Sequence, residues 1–332
     1  MVSDPAASAH DAYGRSLAVG DFGGDGRADL TVGSTGNDVR LHKGGFTKAS
    51  GAASRYRLTT GLQSGSDDGA RSLASGDING DGTDDLVISG RYHPDRTTLF
   101  DGTLVYLGSS SGLTPQTVLR SDSRQTAAVG DITGDGYEDV VTSGFPDAHR
   151  DGDGGSISVC TGGSGGVSTT RRQTVDQDTP GVPGAAERDD NFGWAVSLDD
   201  VDGDGYADAA VSAFYESIGS ATLTGRVTAL RGSASGLTGT GAQSFSQATP
   251  GVPGTAEDND RFGSAVRLAD LDGDGHADLS VGADGENGGD GAAWSLRGSA
   301  SGVRTAGAVS FGPSTVGVST SGYPRLGTVM GQ

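Results

Sequence analysis

One nine-residue acidic pattern occurs five times in the sequence, and this repeat constrains the fold more than any other feature. The copies, here called loops one to five, are 21–29, 77–85, 131–139, 200–208 and 270–278. Their first aspartates are 56, 54, 69 and 70 residues apart, about 62 on average. This period is too long for leucine-rich or ankyrin repeats, and it suits a four-stranded propeller blade with long loops.

Short stretches of alternating apolar and polar residues surround each loop and predict strands. Such alternation has the period of a strand, and 60 glycines in 332 residues disfavour long helices. We therefore predict an all-β fold, a β-propeller of five four-stranded antiparallel blades forming a single domain, 1–332. The blades are placed at about 12–60, 70–120, 123–176, 191–247 and 261–312, with a closing strand segment at 313–332.

Charge, cysteine content and hydropathy exclude several classes of protein. The formal net charge is -20, so the average field would repel nucleic acid and anionic lipid surfaces. Cys160 is the only cysteine, which leaves no disulfide framework. Because no apolar run approaches 18 residues, we expect no membrane insertion, and the first eleven residues lack the features of a secretion signal.

Each acidic loop has the donor pattern of a calcium site. Oxygen side chains fall at positions 1, 3, 5 and 9, glycine stands at position 6, and position 7 offers its backbone carbonyl. Calcium takes six to eight oxygens, and the glycine lets alternate residues of a tight loop point inward together. The sequence thus predicts up to five Ca²⁺ ions, one per blade. The candidate metal ligands are Asp21, Asp25, Arg27, Asp29, Asp77, Asn79, Asp81, Thr83, Asp85, Asp131, Thr133, Asp135, Tyr137, Asp139, Asp200, Asp202, Asp204, Tyr206, Asp208, Asp270, Asp272, Asp274, His276 and Asp278, of which Arg27, Thr83, Tyr137, Tyr206 and His276 act through the carbonyl.

The alternative for these loops is a set of Asx turns that close hairpins without metal. Loop one fits calcium least well, because Gly23 stands at position 3 and supplies no ligand. Loops four and five offer four carboxylates each, so the sequence predicts the tightest binding there.

With these loops, the chain resembles the FG-GAP repeat family, the blades of the integrin α-chain N-terminal propeller and of secreted bacterial relatives. The resemblance is carried by Phe192-Gly193, by Phe262-Gly263, and by the corners SAFYE at 212–216 and GADGE at 282–286. The first three units diverge, since Tyr13-Gly14 replaces the FG pair in unit one and no such pair precedes loops two or three. Phe214 and Asp284 stand where the family usually has proline.

The resemblance implies a ligand surface on the face away from the calcium loops. Its segments would be 91–101, 145–154, 214–224 and 284–290, joined by the paired stretches 179–193 and 249–263, whose TPGVPG motifs are more typical of inter-blade connectors. Aromatic and arginine side chains of the kind that anchor interfaces are Arg91, Tyr92, His93, Phe145, Arg150, Phe214 and Tyr215. Packing of these side chains on neighbouring blades is the alternative.

No catalytic residue or organic cofactor site is identified. Two stretches, 108–112 and 162–166, match the G-x-S-x-G pattern, but the aligned GSASG stretches at 232 and 298 lack the nucleophile, which indicates a turn. The five histidines lie in different units without metal-ligand spacing.

The sequence therefore favours a secreted or surface calcium-binding propeller that binds a protein or glycan without catalysis. The alternative is a hydrolase, a lyase or an enzyme-associated propeller with an unrecognised site. The resemblance implies an extracellular location. The GYPRLGTVMGQ stretch at 322–332 repeats the start of a unit, and relatives commonly have seven blades, so we expect an N-terminally truncated ring. A complete five-bladed ring with a redundant tail is the alternative.

Overall fold

Five four-stranded antiparallel sheets make up the protein in a computed structural model that describes residues 12–47, 52, 54–65, 68–93, 98–120, 126–143 and 154–330. In each sheet the strands are hydrogen-bonded in chain order, which confirms the predicted blades and all-β class. The strands are β1 Leu17–Gly20, β2 Asp29–Val32, β3 Asp38–His42, β4 Arg55–Thr59, β5 Ser72–Gly76, β6 Asp85–Tyr92, β7 Phe100–Leu107, β8 Thr114–Arg120, β9 Ala127–Gly130, β10 Asp139–Ser143, β11 Ile157–Cys160, β12 Arg172–Val175, β13 Phe192–Asp199, β14 Asp208–Ala213, β15 Arg226–Arg231, β16 Thr238–Phe245, β17 Phe262–Ala269, β18 Asp278–Ala283, β19 Ala292–Arg297 and β20 Arg304–Phe311.

The first strand of every blade lies at the centre of the molecule. One cavity of about 230 Å³ is lined by residues from β1, β5, β9, β13 and β17 together, so the five inner strands surround a common channel. Each acidic loop joins an inner strand to the second strand of its blade. All five acidic loops therefore lie at the same end of the channel.

The hydrophobic core lies between blades. Four apolar clusters each combine residues of two consecutive blades, and the position-2 side chain of an acidic loop enters the cluster shared with the following blade. These buried side chains are Phe22, Ile78, Ile132 and Val201. Each of the four interfaces is thus centred on a residue inside the repeated motif.

Among the described residues, blades one and five each have one face without this packing. Inner strands pack consecutively from β1 to β17, but β17 and β1 are not among the strand pairs in extensive contact. Leu17 and Val19 on β1 are 47% and 54% exposed, and Leu271, at position 2 of loop five, is 57% exposed. The prediction of a ring with more blades stays a prediction.

The segment predicted as a closing strand, 313–332, differs from that expectation over its described part, 313–330. It contains one 3₁₀ turn, Pro313–Val316, and a single parallel bridge between Leu326 and Gly291. Left-handed backbone at Tyr323 and Arg325 prevents a continuous strand there.

Leu326 nevertheless makes the same backbone hydrogen bond to blade five that Phe262 makes to blade four. The N–H of Leu326 donates to the carbonyl of Asp290 at 3.0 Å, and the N–H of Phe262 donates to that of Thr224 at 2.7 Å. The glycine after each has a positive φ, 88° at Gly327 and 99° at Gly263. The sequence alignment of Leu326-Gly327 with Phe262-Gly263 is therefore matched by the backbone.

Candidate metal loops and distal mouth

The position-1 aspartate organises each acidic loop by accepting backbone hydrogen bonds from within it. In loop four, Asp200 accepts the N–H groups of Gly203, Asp204 and Gly205 at 2.7, 3.2 and 2.9 Å. The corresponding bonds from Gly275 and Gly273 hold the pKa of Asp270 in loop five below its ordinary value. These loops are therefore shaped by their own backbone, with the position-1 carboxylate turned inward.

The position-9 aspartate fixes the loop to the third strand of its blade. Asp208 is buried and accepts the N–H of Gly232 at 2.8 Å and that of Val201 at 3.3 Å. Burial raises its pKa to about 7, and the nearby carboxylates of Asp204 and Asp200 contribute in the same direction. Burial likewise raises the pKa of Asp85 and of Asp139 to about 6.

Three carboxylates converge within loop four, and three others converge within loop five, closely enough in each loop to bind one ion. Ligand atoms of Asp200, Asp202 and Asp208 lie within 4.8 Å of one another, and so do those of the trio in loop five, which consists of Asp270, Asp272 and Asp274. Two oxygens at proposed position-3 donors, Thr133 Oγ1 and Asp202 Oδ1, are buried without a hydrogen bond within the described residues, although the other carboxylate oxygen of Asp202 contacts Arg231. The donor chemistry and these orphaned oxygens fit a hard cation.

Cationic side chains at the end of the third strand approach three of the loops. Arg231 contacts Asp202, and Arg297 contacts Asp272. Lys43, at the corresponding position in blade one, approaches Asp29, with 3.2 Å between Nζ and Oδ2. The sequence pattern of the loops did not reveal these cations, because they lie outside the nine-residue motif.

Side chains at position 7 point away from their own loop, as the choice of a carbonyl ligand requires. In loops two to five this side chain lies over the position-4 glycine of the preceding loop: a Cβ at Gly203 would be 2.9 Å from Cε1 of His276, and one at Gly134 would be 2.7 Å from Cε1 of Tyr206. Neighbouring loops therefore touch around the channel.

A second cavity, here called the distal mouth, lies at the opposite end of the channel. Its volume is about 330 Å³. The residues that line it are Arg15, Arg71, Ser72, Thr126, Trp194, Ala195, Val196, Phe214, Ser264, Ala265, Val266, Asp284, Thr328, Val329 and Met330. It opens where the inner strands begin, so it lies on the face away from the acidic loops.

Stacked aromatic rings form one wall of the distal mouth. Trp194 and Phe214 are parallel, with 4.4 Å between ring centroids and 5° between ring planes, and Tyr215 packs beside both. Sequence reasoning identified Phe214 and Tyr215 but missed Trp194, although Trp194 directly follows the Phe192-Gly193 pair.

Acidic and basic side chains meet at the edge of this wall. Asp284 is buried between two arginines, with Arg325 in contact and Arg261 Nη1 at 3.7 Å. The Arg261 guanidinium lies 5.9 Å from the Phe214 ring centroid. The mouth thus combines a flat apolar wall with fixed charges.

Other residues proposed for the ligand surface have structural contacts. Tyr92 packs edge-on against Phe100 at 5.6 Å and joins the core between blades one and two. Arg91 lies 3.4 Å from Asp101, and the N–H of His93 donates to Gly61. For Arg91 and Tyr92 the packing alternative is therefore supported, while Phe145 and Arg150 lie outside the described residues.

The TPGVPG stretches pack between blades, as expected of connectors. Val182 and Val252 belong to inter-blade apolar clusters, and the indole N–H of Trp294 donates to the carbonyl of Pro253 at 2.8 Å. The G-x-S-x-G stretches form turns between third and fourth strands, with N–H to carbonyl bonds from Gly112 to Ser109 and from Gly166 to Gly163.

None of the helices in the described part of the chain combines the length and the apolar character that crossing a membrane requires. Cys160 is buried and free, and burial raises its pKa to about 12.

Comparison with known proteins identifies repeats over much of the chain. The FG-GAP repeat model matches 13–53, 192–230 and 262–296, and an FG-GAP-like repeat model matches 77–142. Among similar proteins, Integrin alpha pat-2 of Caenorhabditis briggsae is 31% identical over 67% of this chain and 19% of its own length. Integrin alpha-5 of Xenopus laevis is 30% identical over 64% of this chain and 21% of its own length.

These relatives are much longer than the matched region, so the chain spans about a fifth of their length. The repeat matches include all five acidic loops in full. Together with the five sheets, they show that the chain belongs to the FG-GAP repeat family.

Proposed function

We propose that the protein is an extracellular, calcium-stabilised propeller that binds a protein or glycan at the distal mouth without catalysing a reaction. The stacked Trp194 and Phe214 rings beside the buried Asp284 carry this proposal. Flat aromatic surfaces with adjacent charged groups are typical of binding sites for sugars and for side chains of a partner protein.

Calcium has a structural role in this proposal. The ions would be held by the position-1, position-3, position-5 and position-9 groups of loops two to five, at the end of the channel opposite the mouth. A bound calcium ion would neutralise carboxylates that otherwise repel one another, and it would join the first and second strands of a blade. Weak calcium modules are occupied at the millimolar concentrations outside cells, which supports the extracellular assignment.

Carboxylates with raised pKa also occur away from the acidic loops, and these are the groups that an enzyme hypothesis would use. Burial raises the pKa of Asp190 to about 6 and also raises that of Asp260. Both have the same scaffold role: Asp190 accepts the N–H of Glu187 at 2.8 Å, and Asp260 accepts that of Glu257 at 2.7 Å. Since one arrangement is repeated in two connectors, we assign it to folding.

Binding assays on matched variants test the proposal. The wild-type chain, a Trp194→Ala variant and a Val309→Ala variant are applied to a glycan array and to a protein pull-down, each with calcium and with EGTA. Val309 is an exposed residue of β20 and is the control. We expect Trp194→Ala alone to lose a calcium-dependent ligand, and equal binding by all three chains would contradict a site at the mouth.

A further inference from the structure

In loop one, a cation from the same blade occupies the place that the position-3 side chain takes in the other four loops. A Cβ added to Gly23 would overlap Nζ of Lys43. The Lys43 ammonium thus occupies the space into which a position-3 side chain projects in the other loops. Glycine at position 3 removes a ligand and at the same time makes room for this side chain.

The buried aspartate of loop one is the ionic partner of Lys43. Asp29 is 1% exposed, and its Oδ1 accepts the N–H of Gly44 at 2.6 Å. Its Oδ2 is buried without a hydrogen bond among the described residues and lies 3.2 Å from Lys43 Nζ. The ammonium therefore supplies the positive charge that this desolvated carboxylate requires.

Strand register identifies the residues that correspond to Lys43 in the other blades. Leu30 pairs with His42 just as Leu86 pairs with Tyr106 and Val140 with Cys160. The next residues are therefore equivalent, and they are Lys43, Leu107 and Thr161. Blades two and three have no cation at this position.

Blades four and five do have a cation there, but they also have an additional carboxylate. Arg231 and Arg297 contact the position-3 aspartates, Asp202 and Asp272. Arg231 also lies 3.6 Å from Asp208 Oδ2, so two of the four carboxylates of loop four and one of the four in loop five are paired with an arginine. Loop one has only three carboxylates beside its ammonium and offers no oxygen side chain at position 3. Loop one combines the poorest donor set with an internal cation.

We infer that the Lys43 ammonium replaces the metal ion in loop one, so that the chain binds at most four calcium ions and blade one keeps its loop closed without calcium. The inferred count is one lower than the sequence-based expectation of up to five ions. The count of four rests on the proposed calcium binding, but the role of Lys43 in loop one does not.

The first experiment tests Lys43 without calcium. Thermal unfolding in EGTA is measured for the wild type, Lys43→Met and the control Arg297→Met, which removes a more exposed cation from loop five. Methionine keeps an unbranched apolar stem and removes the charge. We expect Lys43→Met to lower the melting temperature by several degrees and by more than Arg297→Met does. An unchanged melting temperature for Lys43→Met would overturn the inference.

The second experiment counts calcium ions by equilibrium dialysis at millimolar calcium. The wild type should bind no more than four ions, and a Gly23→Asp/Lys43→Ala variant should bind one more than the wild type. Gly23 is absent from the positive-φ glycines, so aspartate suits its backbone. Five ions on the wild type, or no gain in the double variant, would overturn the inference. If the wild type bound no calcium, the proposed stabilisation by calcium would fail, and the EGTA measurement would still decide the role of Lys43.

Discussion

The backbone N–H of Ala277 in loop five donates to the carbonyl of Asp200 in loop four at 2.8 Å. Asp200 is the position-1 residue, whose carboxylate organises its own loop. Equivalent bonds run from Ala207 to Asp131 at 2.8 Å and from Glu138 to Asp77 at 3.2 Å. Loops three, four and five are thus each bonded to the preceding loop through a candidate metal ligand.

This contact predicts energetic coupling between adjacent loops. In the presence of calcium, the double variant Asp204→Asn/Asp274→Asn should lose less unfolding free energy than the sum of the losses in the two single variants. The reason is that either substitution alone already loosens the hydrogen bond between Ala277 and Asp200. The expected coupling is about 1 kcal/mol, typical of residues in one network. Chemical unfolding of the two single variants and the double variant measures it. Asp81→Asn with Asp274→Asn is the control pair in non-adjacent loops, and equal coupling in both pairs would contradict transmission through neighbouring loops.

Glycine at position 4 is expected to be essential for contact between loops. Gly134→Ala should destabilise the chain through its φ of 66° and through overlap with Tyr206, whose Cε1 would lie 2.7 Å from the new Cβ. Gly136→Ala is the control, since its φ is 84° and nothing lies within 4 Å. The left-handed backbone costs both variants about 1–2 kcal/mol, and overpacking should cost Gly134→Ala about 1–3 kcal/mol more.

Thermal unfolding compares the two glycine variants, and a Gly134→Ala/Tyr206→Ala variant tests the cause. Removing the Tyr206 ring should recover most of the additional loss. Equal melting temperatures for Gly134→Ala and Gly136→Ala would show that the ring yields without cost.

The sequence was sufficient to predict the blades because the repeat and the strand periodicity report on local structure. The sequence predicts position 9 to be a metal ligand, whereas its role in holding the third strand through Gly232 depends on the sheet register. The cations Lys43 and Arg231 were missed for the same reason, since each reaches a loop from another strand. Trp194 was missed because its stacking partner, Phe214, lies in the turn after β14, twenty residues along the chain, and no sequence spacing encodes that contact.

Loops one and five should respond differently to the same substitution. Asp274→Ala removes a position-5 carboxylate from a loop whose acidic groups converge, whereas Asp25→Ala removes one from the loop that contains Lys43. We expect Asp274→Ala to reduce the calcium-dependent rise in melting temperature more than Asp25→Ala does. Calorimetry with calcium and with EGTA measures both, and equal reductions would argue against the ranking.

Stability in EGTA should depend on pH through Asp190. Burial raises its folded-state pKa from 3.8 to about 6, and the Glu216 carboxylate acts in the same direction. The Asp190 carboxyl therefore binds a proton more tightly in the folded state than in the unfolded state. Above about pH 6 the charged carboxylate lowers the stability of the fold, and this loss disappears as the pH falls from about 6 to 4.

Asp190→Asn should remove this contribution, because asparagine can still accept the Glu187 N–H but carries no charge. Relative to the wild type, the variant should gain stability at pH 8 and lose that advantage by pH 4. Urea unfolding across this range is the measurement. Asp189→Asn, at an exposed neighbour with a φ of 72°, is the control, and parallel pH profiles for the wild type and Asp190→Asn would contradict the assignment.

The position-2 residues offer a matched test of the packing between blades. Ile132 is fully buried in the cluster that joins blades three and four, whereas Leu271 occupies the same position in loop five and is 57% exposed. Ile132→Ala should cost about 2–5 kcal/mol of unfolding free energy, as is usual for a large apolar side chain removed from a core. Leu271→Ala should cost less than about 0.5 kcal/mol. Both variants keep the acidic ligands, so calcium binding is not removed directly in either. Urea unfolding in EGTA isolates the packing term, and a cost for Leu271→Ala as large as that for Ile132→Ala would mean that Leu271 is covered in solution by a surface outside the described residues.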